Sequence, residues 1–104
     1  MSALFDFHLQ GDTAASILSL SGELTIAALD GAWRNLGQAL QGRQVVEINL
    51  AGLERADSAA IALLLDLAGR AHGTNQPVPR IMGLPAHLRE LLDLYHLQHV
   101  FSLV

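Results

Sequence analysis

The sequence predicts an α/β fold: a mixed, mostly parallel β-sheet with an N-terminal hairpin, packed with about three helices. Strand-like and helix-like segments alternate in the order β-β-α-β-α-β-α-(β), and strands separated by helices usually form parallel sheets. The first two strand-like segments are joined only by a short turn, which predicts an antiparallel pair. With 104 residues, 51% of them hydrophobic, residues 1–104 are expected to form a single domain.

The first half of the chain begins with the hairpin. Residues 3–9 and 16–21 alternate apolar and polar side chains on either side of a turn at Gly11. Residues 29–40 repeat apolar side chains every three or four positions, which predicts a helix with one apolar stripe. That stripe consists of Leu29, Ala32, Trp33, Leu36, Ala39 and Leu40.

The centre of the chain combines a buried strand with a second helix. Residues 45–50, VVEINL, are mostly apolar and β-branched, which predicts a central strand. Residues 51–56 are expected to form a short loop. The second helix is predicted over residues 58–71, because the glycine and proline of the following GTNQP stretch end it.

The last third of the chain predicts two short strands around a third helix. Residues 78–82 form a strand that Pro79 interrupts, so we expect it at the sheet edge. Residues 84–94 predict a helix with Pro85 in its first turn, and residues 100–101 predict a final strand. One face of the third helix is expected to hold Leu88, Leu91, Leu92 and Tyr95.

The second helix is apolar almost all the way round, which is unusual for a surface helix. At about 100° per residue, one side can pack on the sheet: Ala60, Ile61, Leu64, Leu67, Ala68 and Ala71. The opposite side is small and mostly apolar, with a leucine in its middle. It holds Ser58, Ala62, Leu65 and Gly69, flanked by Ala59, Asp66 and Gly73. Because an isolated domain gains nothing by exposing Leu65, this pattern favours a surface reserved for another polypeptide.

Two polar residues stand at the start of this helix. Asp57 precedes an apolar run, as an N-cap residue does. Ser58 follows at the first helical position, where free backbone N–H groups and the helix dipole favour an anion. A phosphate there would add about −1.5 to −2 charges to the apolar side, so Ser58 is a phosphorylation candidate. Asp66 and Arg70 are four residues apart, and we expect them to form an ion pair on the helix.

Composition excludes several classes of function. The net charge is −4, and the six basic residues are scattered arginines, which is unlike a nucleic-acid or lipid-headgroup binder. Phosphate-loop, dinucleotide and nucleophile-elbow motifs are absent, so we expect no enzyme and no cofactor. Of the five histidines, His96 and His99 lie three apart, but neither has a neighbouring third ligand, so we expect no metal site. No apolar run is long enough to cross a bilayer.

The stretch VVEINLAGLERADSAAIALLL resembles the signature of the STAS-domain family, in which a buried strand and a short loop precede Asp-Ser or Asp-Thr and an aliphatic helix. The LSGELT and DLYHLQHVF stretches extend the resemblance along nearly the whole chain. The resemblance implies a β-sheet flanked by helices, and Ser58 matches the phosphorylatable or interface hydroxyl of the family. Ala59 and Ala60 depart from the Ser or Thr and Gly that commonly follow, which bears on kinase recognition more than on docking.

The family offers two main functions. A third, that the domain itself binds a nucleotide or lipid, follows only from family analogy, and the sequence discounts it because it contains no pocket motif. The shortness of the chain and its SGEL, ALLLDLA and LYHL stretches are most similar to the small cytoplasmic subunits of Mla-type phospholipid ABC transporters, which maintain outer-membrane lipid asymmetry. This resemblance implies a non-catalytic protein that binds a MlaF-like ATPase subunit and stays cytoplasmic, at the inner face of the inner membrane, without inserting into it. The alternative is an anti-sigma factor antagonist that a partner kinase phosphorylates on Ser58. The expected partner-binding residues are Asp57, Ser58, Ala59, Ala62, Leu65 and Asp66.

Overall fold

The computed structural model describes residues 5–26, 29–97 and 99–103. Five strands and three helices follow one another in the predicted order. They are β1 (Asp6–Asp12), β2 (Ala15–Leu24), α1 (Leu29–Ala39), β3 (Val45–Ala56), α2 (Ser58–Gly73), β4 (Arg80–Met82), α3 (Ala86–Leu94) and β5 (Ser102–Leu103). The predictions for Ala3, Leu4 and the side chains of Leu29 and Ala32 lie outside the described residues.

The strands form a single mixed sheet in the order β1-β2-β3-β4-β5. β1 pairs with β2 in an antiparallel hairpin, and every other neighbouring pair is parallel. The turn predicted at Gly11 is wrong, because it lies at Thr13 and Ala14, and Gly11 belongs to β1 and pairs with Ser16. Gly11 has φ +86, a conformation that a side chain would strain. The predicted mixed sheet with its N-terminal hairpin is confirmed.

β3 is twice as long as expected, because residues 51–56 continue the strand instead of forming a loop. Gly52 and Leu53 pair with Ser21 and Gly22 of β2, and the ladder has irregular registers on both sides of this pair. Composition does not indicate this strand, because residues 51–56 include no β-branched residue and their side chains are largely exposed. The extension carries the chain to Ala56, directly before the start of α2.

Three expectations at the end of the chain are wrong. The final strand is Ser102–Leu103 and does not include residues 100–101. β4 is not an edge strand, since β5 pairs with it in parallel, and Pro79 precedes the strand instead of interrupting it. Tyr95 does not share the buried stripe of α3, because the helix ends at Leu94 and leaves Tyr95 as a half-exposed C-cap residue. Pro85 is the N-cap residue of α3.

A core of aliphatic side chains joins the sheet to all three helices. Leu18, Ile48 and Ile81 contribute from the strands, and each is fully buried. Trp33 of α1 packs against this core while partly exposed, as expected for a residue of the apolar stripe. Within the described residues, every helix is too short or too polar to cross a membrane.

Candidate functional site

The site predicted from the sequence lies where β3 ends and α2 begins. Asp57 has extended backbone angles, and its Oδ1 accepts a hydrogen bond from the N–H of Ala59 at 2.8 Å. It is therefore the N-cap residue of α2, as predicted. Its Oδ2 accepts a second hydrogen bond, at 3.3 Å, from the N–H of Ile26 in the segment that follows β2. One carboxylate thus orders both the first turn of α2 and the neighbouring loop.

The outer side of α2 is exposed along its whole length, as the periodicity predicts. Ser58, Ala62 and Gly69 are exposed, and Leu65 keeps 38% of its surface accessible. These residues lie within a narrow angular range of the helix. They leave a shallow apolar strip with a hydroxyl at its N-terminal end. We call this strip, formed by Ser58, Ala62, Leu65 and Gly69, the α2 strip.

Ala59, expected at the flank of the α2 strip, is buried and only 3% exposed. Its Cβ lies toward the packed side, so it contributes no side-chain surface to a partner. Leu63 is also buried, although the sequence assigned it to neither side. It lines a tight crevice with Trp33 and Leu36, where α2 packs against α1. The contact with α1, together with those to the sheet and α3, explains why α2 is apolar over most of its circumference.

Asp66 borders the α2 strip and is half-buried. Its Oδ2 accepts a hydrogen bond from Nε of Arg70 at 2.9 Å, which confirms the predicted ion pair. Because both side chains are partly exposed, the pair adds a few tenths of a kcal/mol at most. Its main effect at the site is to hold Asp66 along the flank of the strip.

Ile26 is the residue at this site that sequence reasoning missed. Its side chain is 68% exposed, the largest exposed fraction among the large hydrophobic residues that the structure describes. Its backbone hydrogen bond to Asp57 places it beside the N-cap of α2, where it lines a shallow concavity together with Asp57 and His87. The available signal was an isoleucine directly after the polar SGELT stretch, with no periodic partner to bury it.

In the part of the chain that the structure describes, no three His, Cys, Asp or Glu side chains lie together as metal ligands would. His96 and His99 are exposed in the segment after α3. His96 has φ +57, a left-handed conformation typical of a turn, so the helix does not continue through both histidines. The described residues of the site offer an apolar surface and a hydroxyl.

Comparisons with known proteins agree with this geometry. The family model described as "Mlab, STAS domain" matches residues 7–104. The intermembrane phospholipid transport system binding protein MlaB of Haemophilus influenzae is 32% identical over 98 residues, covering 90% of this chain and 92% of that protein.

Solved structures show the same fold. An anti-sigma factor antagonist from Mycobacterium paratuberculosis superposes with a TM-score of 0.71, covering 99% of this chain and 89% of the other, at 18% identity. The anti-sigma factor antagonist SpoIIAA in its unphosphorylated form gives a TM-score of 0.67, covering 95% of this chain and 87% of the other, also at 18% identity. The solved structures show the fold, and the family model over residues 7–104 together with the 32% identity to a MlaB protein shows that the chain belongs to the MlaB-type STAS-domain family.

Proposed function

We propose that this protein is a non-catalytic subunit that binds and supports the ATPase of a Mla-type phospholipid ABC transporter. The observation that carries the proposal is the exposed, apolar outer side of α2 in a chain related to a phospholipid transport binding protein. The proposed interface consists of the α2 strip, with Ile26 at one end and Asp66 along one side. The protein would lie at the inner face of the inner membrane through this partner alone.

The shape of the α2 strip supports docking of a helix or a flat protein surface. Ser58, Ala62 and Gly69 are small, so a partner backbone can approach α2 closely. Leu65 lies in the middle of this strip and Ile26 is exposed beside the N-cap residue Asp57, and these two side chains would supply the apolar contact. Each would contribute about 1.5–3 kcal/mol if a partner buried it fully. A few such anchors, surrounded by near-neutral contacts, are typical of protein interfaces.

The mechanism we propose is stabilisation of the assembled state of the ATPase. A subunit that binds only the assembled conformation shifts the population toward it, by as much as its affinities for the two states differ. The ATP would be bound and hydrolysed by the partner, so this chain needs no catalytic residues. Its contribution would be measured as partner stability and assembly.

Co-purification with the ATPase subunit encoded in the same genome tests this function. We expect the tagged protein to retain the ATPase, and Ser58→Trp to lose it, because an indole at the head of the α2 strip blocks close approach. Asn35→Trp is the matched control, since Asn35 is an exposed residue on α1, away from the strip. Retention of the ATPase by both variants would show that the α2 strip is not the interface. If the unmodified protein does not retain the ATPase, the proposed function is contradicted.

A second function, that of an anti-sigma factor antagonist, is favoured by the position of Ser58. Its side chain is exposed at the first residue of α2. A phosphate on Ser58 would meet the free N–H groups of the first turn. The same charge would disrupt apolar docking on the α2 strip. Phosphorylation at Ser58 would therefore act as a switch on the same surface.

Mass spectrometry after incubation with ATP and each anti-sigma kinase of the same organism decides between the two functions. Phosphate on Ser58, absent from Ser58→Ala, would support the antagonist. We expect no such modification if the protein is the transporter subunit. Ser102 is the comparison serine, because it lies in β5 at the other end of the chain.

A further inference from the structure

A second concave surface lies at the opposite end of the molecule from Ser58. It has a volume of about 750 Å³, within the range of small-molecule sites. The ends of α1 and α2, the β1-β2 turn and the segments before β3 and β4 surround it. We call it the lower groove. The length of α2 separates it from Ser58 by about 20 Å.

The floor of the lower groove is apolar. Its aliphatic lining comes from four different segments of the chain, and Leu40 and Leu67 are also members of the core. The lining contains no aromatic side chain, so a nucleotide base would find no ring to stack on. An aliphatic lining of this kind suits a flexible apolar chain. The aliphatic lining residues are Leu40, Val45, Leu67, Ala71 and Pro79.

Positive charge stands at the rim of the same groove. Of the six arginines in an acidic chain, Arg43 and Arg70 both line it. No carboxylate is among its lining residues in the described part of the chain. Arg70 is paired with Asp66 through Nε, whereas Arg43 donates from Nη1 to the buried hydroxyl of Ser16 at 3.2 Å. That hydrogen bond holds the half-buried Arg43 guanidinium in place without neutralising it.

We propose that the lower groove binds a small amphiphile that carries one anionic head group, a carboxylate or a phosphate monoester, on a single apolar chain. The head group would accept hydrogen bonds from the guanidinium of Arg43, with Arg70 adding positive charge. The uncharged donors Gln44 and Gln76 also line the groove. The apolar chain would lie on the aliphatic floor. This site does not depend on the docking function proposed for the α2 strip.

Isothermal titration calorimetry on the full chain tests the proposal with three ten-carbon probes. They are decanoate and monodecyl phosphate, each below its micelle concentration, and decanol below its solubility limit. We expect saturable binding of at least one anion, and binding of decanol at least about tenfold weaker, since a charged hydrogen bond is lost. Which anion binds identifies the head group. The proposal is overturned if neither anion saturates, or if decanol binds as tightly.

Substitutions in the lower groove test whether the anion binds there. Arg43→Gln should weaken anion binding by about tenfold, and Ala71→Trp should abolish it by filling the half-buried centre of the groove. Arg80→Gln is the control of equal charge change, because Arg80 pairs with Glu47 on the sheet. An equal loss in Arg80→Gln would overturn the proposal. Backbone amide chemical shifts of the unmodified protein, followed by NMR as the anion is added, test the site without variants. Changes within residues 40–45 and 70–76 would support the site, and changes only elsewhere would refute it.

Discussion

At the scale of single residues, Asp57 does more than begin a helix. Its backbone N–H donates to the carbonyl of Leu24 at 3.3 Å, and its two carboxylate oxygens bind the N–H groups of Ala59 and Ile26. The end of β2, the loop after it and the start of α2 are therefore joined at one side chain. The exposed residues on both sides of it, Ile26 and Ser58, are held in a fixed relation.

Replacing Asp57 tests this junction. Asp57→Ala should lower the free energy of unfolding by about 1–2 kcal/mol, because the N-cap hydrogen bond and the loop contact are both lost. Asp57→Asn should retain the N-cap part of that stability, since its single amide oxygen can still accept from Ala59, but it should lose the bond from Ile26 because an amide NH2 cannot accept it. Urea denaturation measures both. An unchanged midpoint in Asp57→Ala would show that neither hydrogen bond contributes.

The two hydrogen bonds that the Asp57 carboxylate accepts differ in how far the sequence predicts them. The cap could be predicted, because an aspartate directly before an apolar run acts on its own neighbours. The contact of Ile26 could not, because it joins residues 31 positions apart and depends on how β2 and β3 lie side by side. Local hydrogen bonding is visible in a single sequence, whereas the contacts made across the sheet are not.

At the scale of elements, α2 shows how a helix can be apolar on most sides and still have a free surface. The sheet, α1 and α3 all contact it, which buries seven residues from Ala59 to Ala68. The periodicity identified the exposed outer side of α2. It placed Ala59 wrongly and left Leu63 unassigned, because the packing of α1 against α2 cannot be read from the sequence of α2 alone. Ala71, predicted as buried, is half-buried, since it lies at the lower groove.

Two neighbouring leucines of α2 provide a matched test of this packing. Leu64 is 1% exposed and Leu65 38% exposed. Leu64→Ala should cost about 2–5 kcal/mol of unfolding free energy through lost burial and a cavity, whereas Leu65→Ala should change it by only about 0.5 kcal/mol. Chemical denaturation of both variants gives the comparison. Similar losses would mean that Leu65 belongs to the core and is unavailable for docking.

Only the first half of β3 could be predicted from the sequence. Its first half was predicted because buried β-branched side chains mark a central strand. Its second half, AGLERA, resembles a loop in composition but is paired with β2. What keeps it extended is backbone hydrogen bonding to a neighbouring strand, which leaves little mark on the exposed side chains.

At the scale of the whole molecule, the protein has two distinct surface features along α2. The α2 strip begins where β3 leads into the helix, beside Asp57, and continues along the outer side of α2 to Gly69, whereas the lower groove lies where α1 and α2 finish. The strip could be predicted from one helix, whereas the groove could not. Its lining comes from several separate segments, and no single motif carries it.

Hydrogen exchange in the complex should distinguish the two surface features. When the ATPase subunit binds, we expect slower amide exchange in residues 24–26 and 58–69, because docking restricts local opening of this region. Residues 40–45 and 71–76 should exchange as in the free protein. Slower exchange only at the lower groove would show that the partner binds there and not on the α2 strip.

The affinity of Leu65→Arg for the ATPase subunit, measured by calorimetry beside Leu94→Arg, is the most direct test of the central claim. Both leucines are exposed helical residues, and Leu94, at 67%, is the more exposed. We predict that Leu65→Arg weakens binding by about tenfold or more, because a charge replaces the apolar centre of the interface, and that Leu94→Arg binds like the unmodified protein. Equal affinity of Leu65→Arg and the unmodified protein would contradict the assignment of the α2 strip as the docking surface.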